Sequence, residues 1–317
     1  MKRFLDCTAS DFENMKKKEL LEAISASEGR VLVCETIGIL QPMLGDVTNA
    51  EFVASMGADM ILLNMFDVNH PVIQGLPKTE DREVIRKIKQ LTGRPVGINL
   101  EPLEQGKESS VETNEMWKLS GGRVATLENA KTAVEMGVDF IVLTGNPGIG
   151  VTNAAITDTL KLYREHLGEQ VVLIAGKMHA SGILSECGEH ILTEADVRAF
   201  AEAGADIILL PAPGTVPGIT MEYVRSLVVC AHSLGKMTLT AIGTSQEGAD
   251  TDTIKEIALM CKMTGTDLHH LGDAGYAEWL CLKYFGIRKG YPWNPPYLSP
   301  YGRFHPKIEG DKIENEK

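Results

Sequence analysis

Apolar residues fall in short β-rich runs, each closed by glycine or polar residues and followed by a stretch with helical spacing. Eight such runs occur, over residues 31–38, 60–66, 95–101, 140–144, 171–179, 207–210, 237–244 and 267–271. Their starts lie 29, 35, 45, 31, 36, 30 and 30 residues apart, the length of one strand plus one helix. The runs are apolar on both faces, as buried parallel strands are. Three are entered through related phrases, Met56-Gly-Ala-Asp59, Met136-Gly-Val-Asp139 and Ala203-Gly-Ala-Asp206. In each the glycine reads as a helix end and the aspartate as the turn into the next strand. Eight βα units predict a closed (β/α)8 TIM barrel over residues 31–286. An open doubly wound sheet would need Gly-x-Gly-x-x-Gly after its first strand. The first loop, Gly38-Ile-Leu-Gln-Pro-Met-Leu-Gly45, does not supply it.

Three segments stand outside the repeat. Residues 1–30 read as a helix opened by a capping box at Ser10-Asp-Phe-Glu13 and stopped at Gly29, closing the bottom of the barrel. The loop over 102–124 is long, polar and contains Gly121-Gly122, which suits either a lid over the site or an idle insertion. Residues 287–317 form a tail with Tyr291, Trp293, Tyr297, Tyr301 and Phe304 among five prolines. Such a segment is expected to run extended over the barrel or over a second subunit, making the tail a candidate contact of a homo-oligomer.

Composition narrows the partners. Asp and Glu number 43 against 31 Lys and Arg, a net charge of −12. That field repels polyanions, which argues against nucleic acid, although a small phosphorylated metabolite can still bind local backbone dipoles. No apolar stretch is long enough to span a membrane, and the first 18 residues lack a signal-peptide core. Six cysteines without Cys-x-x-Cys spacing read as reduced thiols. A cytoplasmic protein is expected.

In a barrel, chemistry collects at the C-terminal ends of the strands. Along the third run Val96, Ile98 and Leu100 alternate with Gly97, Asn99 and Glu101, which predicts Asn99 and Glu101 on the axial face. The same reasoning on the fifth run turns Val172, Ile174 and Met178 outward and Ala175, Lys177 and His179 inward. The fourth run offers Thr144 and Asn146, the second Asn64 with Asp67 just beyond it, and the first Glu35. A barrel-interior Lys177 needs a carboxylate such as Glu101, Glu35 or Asp67, or an anionic ligand. Lys177 is then a Schiff-base nucleophile, a proton-transfer group or a fixed cation, or else part of a purely structural ion pair. His179 and Glu101 are candidate acid–base partners, and Glu35, Asn64, Asp67, Asn99, Thr144 and Asn146 candidate substrate ligands. Glu35, Asp67, Glu101 and His179 are also candidate ligands for Mg2+ or another divalent metal, without a diagnostic spacing. His269-His270 points its two rings to opposite faces, so at most one reaches the axis. Gly243, Thr244 and Ser245 after the seventh run, with Gly272 and Gly275 after the eighth, are candidate phosphate ligands through backbone N–H and hydroxyl donors.

The ordered strand-end phrases resemble the BtpA-type TIM-barrel family, akin to ribulose-phosphate-binding barrels. They are Gly57-Ala-Asp-Met-Ile-Leu-Leu-Asn64 with Asp67 and Pro71 following, Pro95-Val-Gly-Ile-Asn99, Asp139-Phe-Ile-Val142, Val172-Leu-Ile-Ala-Gly-Lys-Met-His179, and Asp206-Ile-Ile-Leu-Leu210 running to Pro217-Gly218. The chain looks similar to a bacterial subgroup labelled phosphonomutase-like or haloacid-dehalogenase-like hydrolase. The second label does not suit it, since no Asp-x-Asp ends the first strand. The first label implies acidic Mg2+-binding residues. The Gly-Ser-Gly that the resemblance implies after strand seven stands here as Ile242-Gly-Thr-Ser245.

Together these readings predict an enzyme acting on a small phosphorylated sugar or related metabolite by proton abstraction next to a carbonyl, as an isomerase, epimerase or aldolase-type lyase. Two alternatives are a metal-dependent phosphonomutase-like lyase or hydrolase, and a non-catalytic barrel for assembly or metabolite sensing.

Overall fold

The computed structural model describes residues 2–104, 119–180, 182–243, 246 and 249–274. Two short helices lead, α1 (Ala9–Asn14) and α2 (Lys17–Ser25). Strands and helices then alternate: β1 (Val31–Ile37), α3 (Asn49–Met56), β2 (Met60–Asn64), α4 (Val84–Thr92), β3 (Val96–Leu100), α5 (Leu127–Met136), β4 (Phe140–Leu143), α6 (Asn153–Leu167), β5 (Val172–Gly176), α7 (Glu194–Ala203), β6 (Ile207–Pro211), α8 (Met221–Ser233), β7 (Met237–Ile242), α9 (Thr251–Thr264) and β8 (Leu268–Ala274). All strands pair in parallel and in chain order, and β8 closes on β1. The predicted (β/α)8 barrel is the fold. The tail over 287–317 lies outside the described residues.

The two ends of each helix use different local chemistry. At the upper end, threonines accept the first free backbone N–H groups: Thr48, Thr126, Thr152, Thr193 and Thr220 cap α3, α5, α6, α7 and α8. At the lower end, Gly57, Gly137, Gly204 and Gly265 take left-handed conformations that a side chain disfavours. Two residues later an aspartate immediately precedes the next strand. Each reaches back to the strand before it. Asp59 accepts the N–H of Leu32, Asp139 that of Val96, Asp206 that of Leu173 and Asp267 that of Thr238, at 2.8–3.0 Å. The same four aspartates donate their own N–H to the carbonyls of Leu32, Val96, Leu173 and Thr238. The Gly-x-Asp phrase therefore fastens the strands in pairs, β1–β2, β3–β4, β5–β6 and β7–β8. Gly265-Thr-Asp267 completes a set of four where the sequence reading found three.

Two apolar clusters lie on opposite faces of the sheet. The outer one joins Leu32, Ile61, Ile98, Ile141, Leu173, Ile208 and their neighbours to the helices. The inner one fills the lower barrel with Val31, Val33, Met60, Leu62, Phe140, Val142, Val172, Ile174, Ile207, Leu209, Leu239 and Leu268. Phe4, Phe12, Leu20 and Ile24 from the N-terminal elements join this inner cluster, so they close the lower end. Gly97 makes room for Phe140, since a Cβ there would stand 2.4 Å from its ring. Lys17 ties α2 down through a buried pair with Asp206 at 2.8 Å.

Two local expectations are corrected. The N-terminal segment is two helices, not one. The first is capped at Thr8, whose partner is Asp11 rather than a Ser10–Glu13 box, and the chain is extended at Met15 before α2 begins. The fifth strand is turned the other way: Val172 and Ile174 pack inside the barrel, and Leu173 and Ala175 pack against the helices. An apolar run carries no alternation to read, and the strand ends at Gly176, before the polar residues used to set the phase.

Candidate functional site

Above the inner apolar cluster the axial residues become polar on one side of the barrel. His270 of β8, Glu35 of β1, Asn64 of β2 and Asn99 of β3 make one chain of hydrogen bonds. His270 Nε2 lies 2.8 Å from Glu35 Oε2, with both residues buried. Asn64 Nδ2 donates to Glu35 Oε1 at 2.6 Å, and Asn99 Nδ2 lies 3.5 Å from Asn64 Oδ1. Asn64 Oδ1 also accepts the N–H of Met65, a non-glycine residue held at φ 55°. Such backbone strain persists only where surrounding contacts enforce it, and it gathers at functional sites.

Glu101, one residue past β3, extends this layer. Arg123 Nη2 donates to Glu101 Oε1 at 2.6 Å, and both side chains are buried. Burial raises the Glu101 carboxyl above the ordinary glutamate range, and the adjacent guanidinium only partly offsets it. Three buried atoms here have no hydrogen-bond partner among the described residues: Glu101 Oε2, Arg123 Nε and Asn99 Oδ1. Arg123 arrives on a segment that runs parallel to the end of β3. The Glu101 N–H bonds the Arg123 carbonyl, and the Ala125 N–H bonds the Glu101 carbonyl, both at 2.9 Å. Of the long loop, residues 105–118 lie outside the described residues, and the expectation of a lid falls largely there.

The remaining candidates are placed as follows. Thr144 is buried at the top of β4, above the axial Val142. Asn146 is exposed and accepts the N–H of Gly148, capping a turn. Asp67 accepts the N–H groups of Asn69 and His70 at 2.8 and 3.1 Å. Burial alone would raise its carboxyl, but hydrogen bonds from Ser120, Asn69 and His70 outweigh burial and hold it below the usual range. Lys177 is buried, and its partner is none of the three carboxylates expected. Lys177 Nζ bonds Glu186 Oε2 at 2.6 Å, on a turn after β5. With the phase of β5 reversed, Met178 rather than Lys177 or His179 packs with the axial cluster. His179 is half-buried in the connection after β5.

Gly243 and Gly272 come together at the tops of β7 and β8. A Cβ on Gly272 would meet Ile242 O at 2.8 Å and Gly243 Cα at 3.3 Å, so close strand packing demands that glycine. A Cβ on Gly243 would meet nothing nearer than Met178 Sδ at 3.9 Å. Thr244, Ser245 and Gly275 lie outside the described residues.

The four proposed metal ligands are not brought together. Glu35 is engaged with His270 and Asn64, Glu101 with Arg123, and Asp67 with its own turn. Among the described residues no three His, Cys, Asp or Glu side chains gather as a ligand set.

Two polar residues of this region, Arg123 and Glu186, escaped the sequence reading. His270 was read there only as one of a pair with at most one ring on the axis; it shares the axial face with Leu268, two residues earlier on β8. Arg123 and Glu186 stand on irregular segments whose direction no periodicity reports.

The chain is thus a TIM barrel with a polar, buried layer at the strand C-termini between β8 and β4. Residues 5–283 match the family model described as "Domain of unknown function (DUF7916)", and the chain belongs to that family. No curated protein matches it in sequence. Among solved structures it is similar to a putative fructose-1,6-biphosphate aldolase from Coccidioides immitis, at 13% identity over 87% of this chain and 95% of that one, with a TM-score of 0.51. It is also similar to a phosphonopyruvate hydrolase in complex with oxalate and Mg++, at 14% identity over 95% and 98% of the two chains, TM-score 0.48. A thiamine phosphate pyrophosphorylase from Pyrococcus furiosus matches at 14% identity over 84% and 96%, TM-score 0.48. The aldolase match supports the barrel fold, and none of the three carries a reaction to this chain. No helix among the described residues is long and apolar enough to cross a membrane.

Proposed function

We propose that the chain is an enzyme that transfers a proton next to a carbonyl of a small phosphorylated metabolite, as an isomerase, epimerase or aldolase-type lyase. The observation that carries this reading is the buried Glu35–His270 pair at 2.8 Å. A carboxylate that accepts from an imidazole fixes its ring and tautomer and stabilises the imidazolium, which is what a general acid–base group needs. The role given to His179 or Glu101 in the sequence reading passes to His270. Asn64 and Asn99 orient polar groups of the ligand. Lys177 is engaged with Glu186, and the proposal gives it no covalent step. In this reading the phosphate lies against Gly243 and Gly272, which sit together at the tops of β7 and β8.

The test is solvent deuterium incorporation, followed by proton NMR, in a panel of triose, tetrose and pentose phosphates incubated with the protein in D2O. Incorporation into one of them is expected, falling about 10²–10⁴-fold in His270→Gln and strongly in Glu35→Gln. Absence of incorporation across the panel, or incorporation that survives His270→Gln, overturns the reading.

A further inference from the structure

We propose that Glu101, Arg123 and Asn99 form a subsite that reads a vicinal diol of the substrate, and that Asp67 is the residue that positions Arg123. The inference rests on the reading that a ligand enters this mouth, and it adds the chemical class that the mouth selects.

The argument starts from an ion pair made through one arm. An arginine and a glutamate can meet through two parallel hydrogen bonds. Here they meet through Nη2 and Oε1 alone, at 2.6 Å. Arg123 Nε–H, a donor, and Glu101 Oε2, an acceptor, stay buried without a partner among the described residues. A hydroxyl group completes both at once, since it accepts from Nε–H and donates to the carboxylate. Asn99 Oδ1 is a second buried acceptor without a partner among the described residues. It lies two residues earlier on the same strand face, about 6–7 Å along it. Two adjacent hydroxyls of one ligand, each hydrogen-bonded at about 2.7–2.8 Å, bridge that offset. Buried polar atoms left unmade are costly, so a ligand that completes them is favoured over one that cannot.

Asp67 enters through the segment that delivers Arg123. A Cβ on Gly122 would stand 1.8 Å from Asp67 Oδ1, so the chain beside Arg123 lies directly on that carboxylate. The Val68 N–H bonds the Gly122 carbonyl at 3.3 Å, and the Ser120 side chain bonds Asp67. The Asp67 loop is thereby the seat on which Arg123 is set.

The test follows the Arg123 Nε–H resonance in protein labelled with 15N-arginine, assigned by its loss in Arg123→Lys. Erythritol and 1,4-butanediol are the probes, equal in carbon chain but differing in the inner hydroxyls. Erythritol is expected to shift the resonance saturably, at concentrations at least tenfold lower than butanediol. Equal responses, or none, overturn the diol subsite. For the positioning role, Gly122→Ala and the milder Asp67→Asn are expected to move the resonance before any polyol is added and to cut the erythritol preference below threefold. Lowered thermal stability with an unmoved resonance and an intact preference overturns that role. His270→Gln keeps the erythritol preference. A lost preference with deuterium incorporation intact sinks the subsite alone, and the reverse sinks only the proton-transfer reading.

Discussion

The lower and upper halves of the barrel interior are built from the same strands on opposite terms. Below, Val31, Met60, Phe140, Val172, Ile207 and Leu268 interlock with Phe4, Phe12 and Ile24, and the buried Lys17 is met by Asp206 at 2.8 Å. Above, Glu35, Asn99, Glu101, Arg123 and His270 are also buried, and Asn99 Oδ1, Glu101 Oε2 and Arg123 Nε have no partner among the described residues. Burying apolar surface releases free energy wherever it occurs, whereas burying carboxylates and a guanidinium costs free energy unless every lone pair and proton is met. The comparison teaches that apolar burial holds the plugged end, while the open end keeps buried polar atoms unmet among the described residues, which is where the proposed ligand would be tested.

The largest effect expected on that contrast is Phe140→Ala. It removes a ring from the centre of the lower cluster and is expected to cost about 3–5 kcal/mol in urea or thermal unfolding. A loss below about 1 kcal/mol would mean the lower half does not hold the fold.

The second prediction uses pH. His269 of β8 faces outward, and its Nε2–H donates to the Gly29 carbonyl at 2.9 Å, at the joint between α2 and β1. Burial pushes its pKa from 6.5 down to about 4. The unfolded chain then binds the extra proton between these values and the folded chain does not, so folding stability falls as pH drops from about 6.5 to about 4. The slope approaches about 1.4 kcal/mol per pH unit. Denaturant midpoints measured across that range check it, and His269→Gln is expected to flatten the slope.

The smallest effect is expected at Gly243→Ala. Its Cβ would point to open space beside Met178, so stability is expected to stay within about 0.5 kcal/mol of wild type. Affinity for the phosphorylated metabolite identified by deuterium incorporation is expected to fall, read by calorimetry. Unchanged affinity would remove Gly243 from the phosphate subsite.

Much of this molecule was legible before any contact was known. The spacing of the apolar runs encodes the number of βα units, because each strand must be covered by a helix that returns the chain to the same end. Alternation placed Asn99 and Glu101 on the axial face, because Val96, Ile98 and Leu100 mark the other face plainly. Alternation failed at β5, where Val172, Leu173, Ile174 and Ala175 are apolar on both sides, and Lys177 and His179 were misdirected as a result. The recurring Gly-x-Asp phrase was read as turn chemistry, but its tie to the preceding strand was not readable, because that partner lies 27–43 residues away in sequence.

The sequence by itself determined the architecture and the end of the barrel where polar residues face the axis, since both follow from periodicity and local backbone preference. Only the tertiary structure decided which polar groups meet: His270 with Glu35, Arg123 with Glu101, and Lys177 with Glu186 rather than with the axis. Hydrogen bonds and ion pairs act over a few ångströms, and the segments they join here are set side by side by closure of the barrel, which no local pattern records.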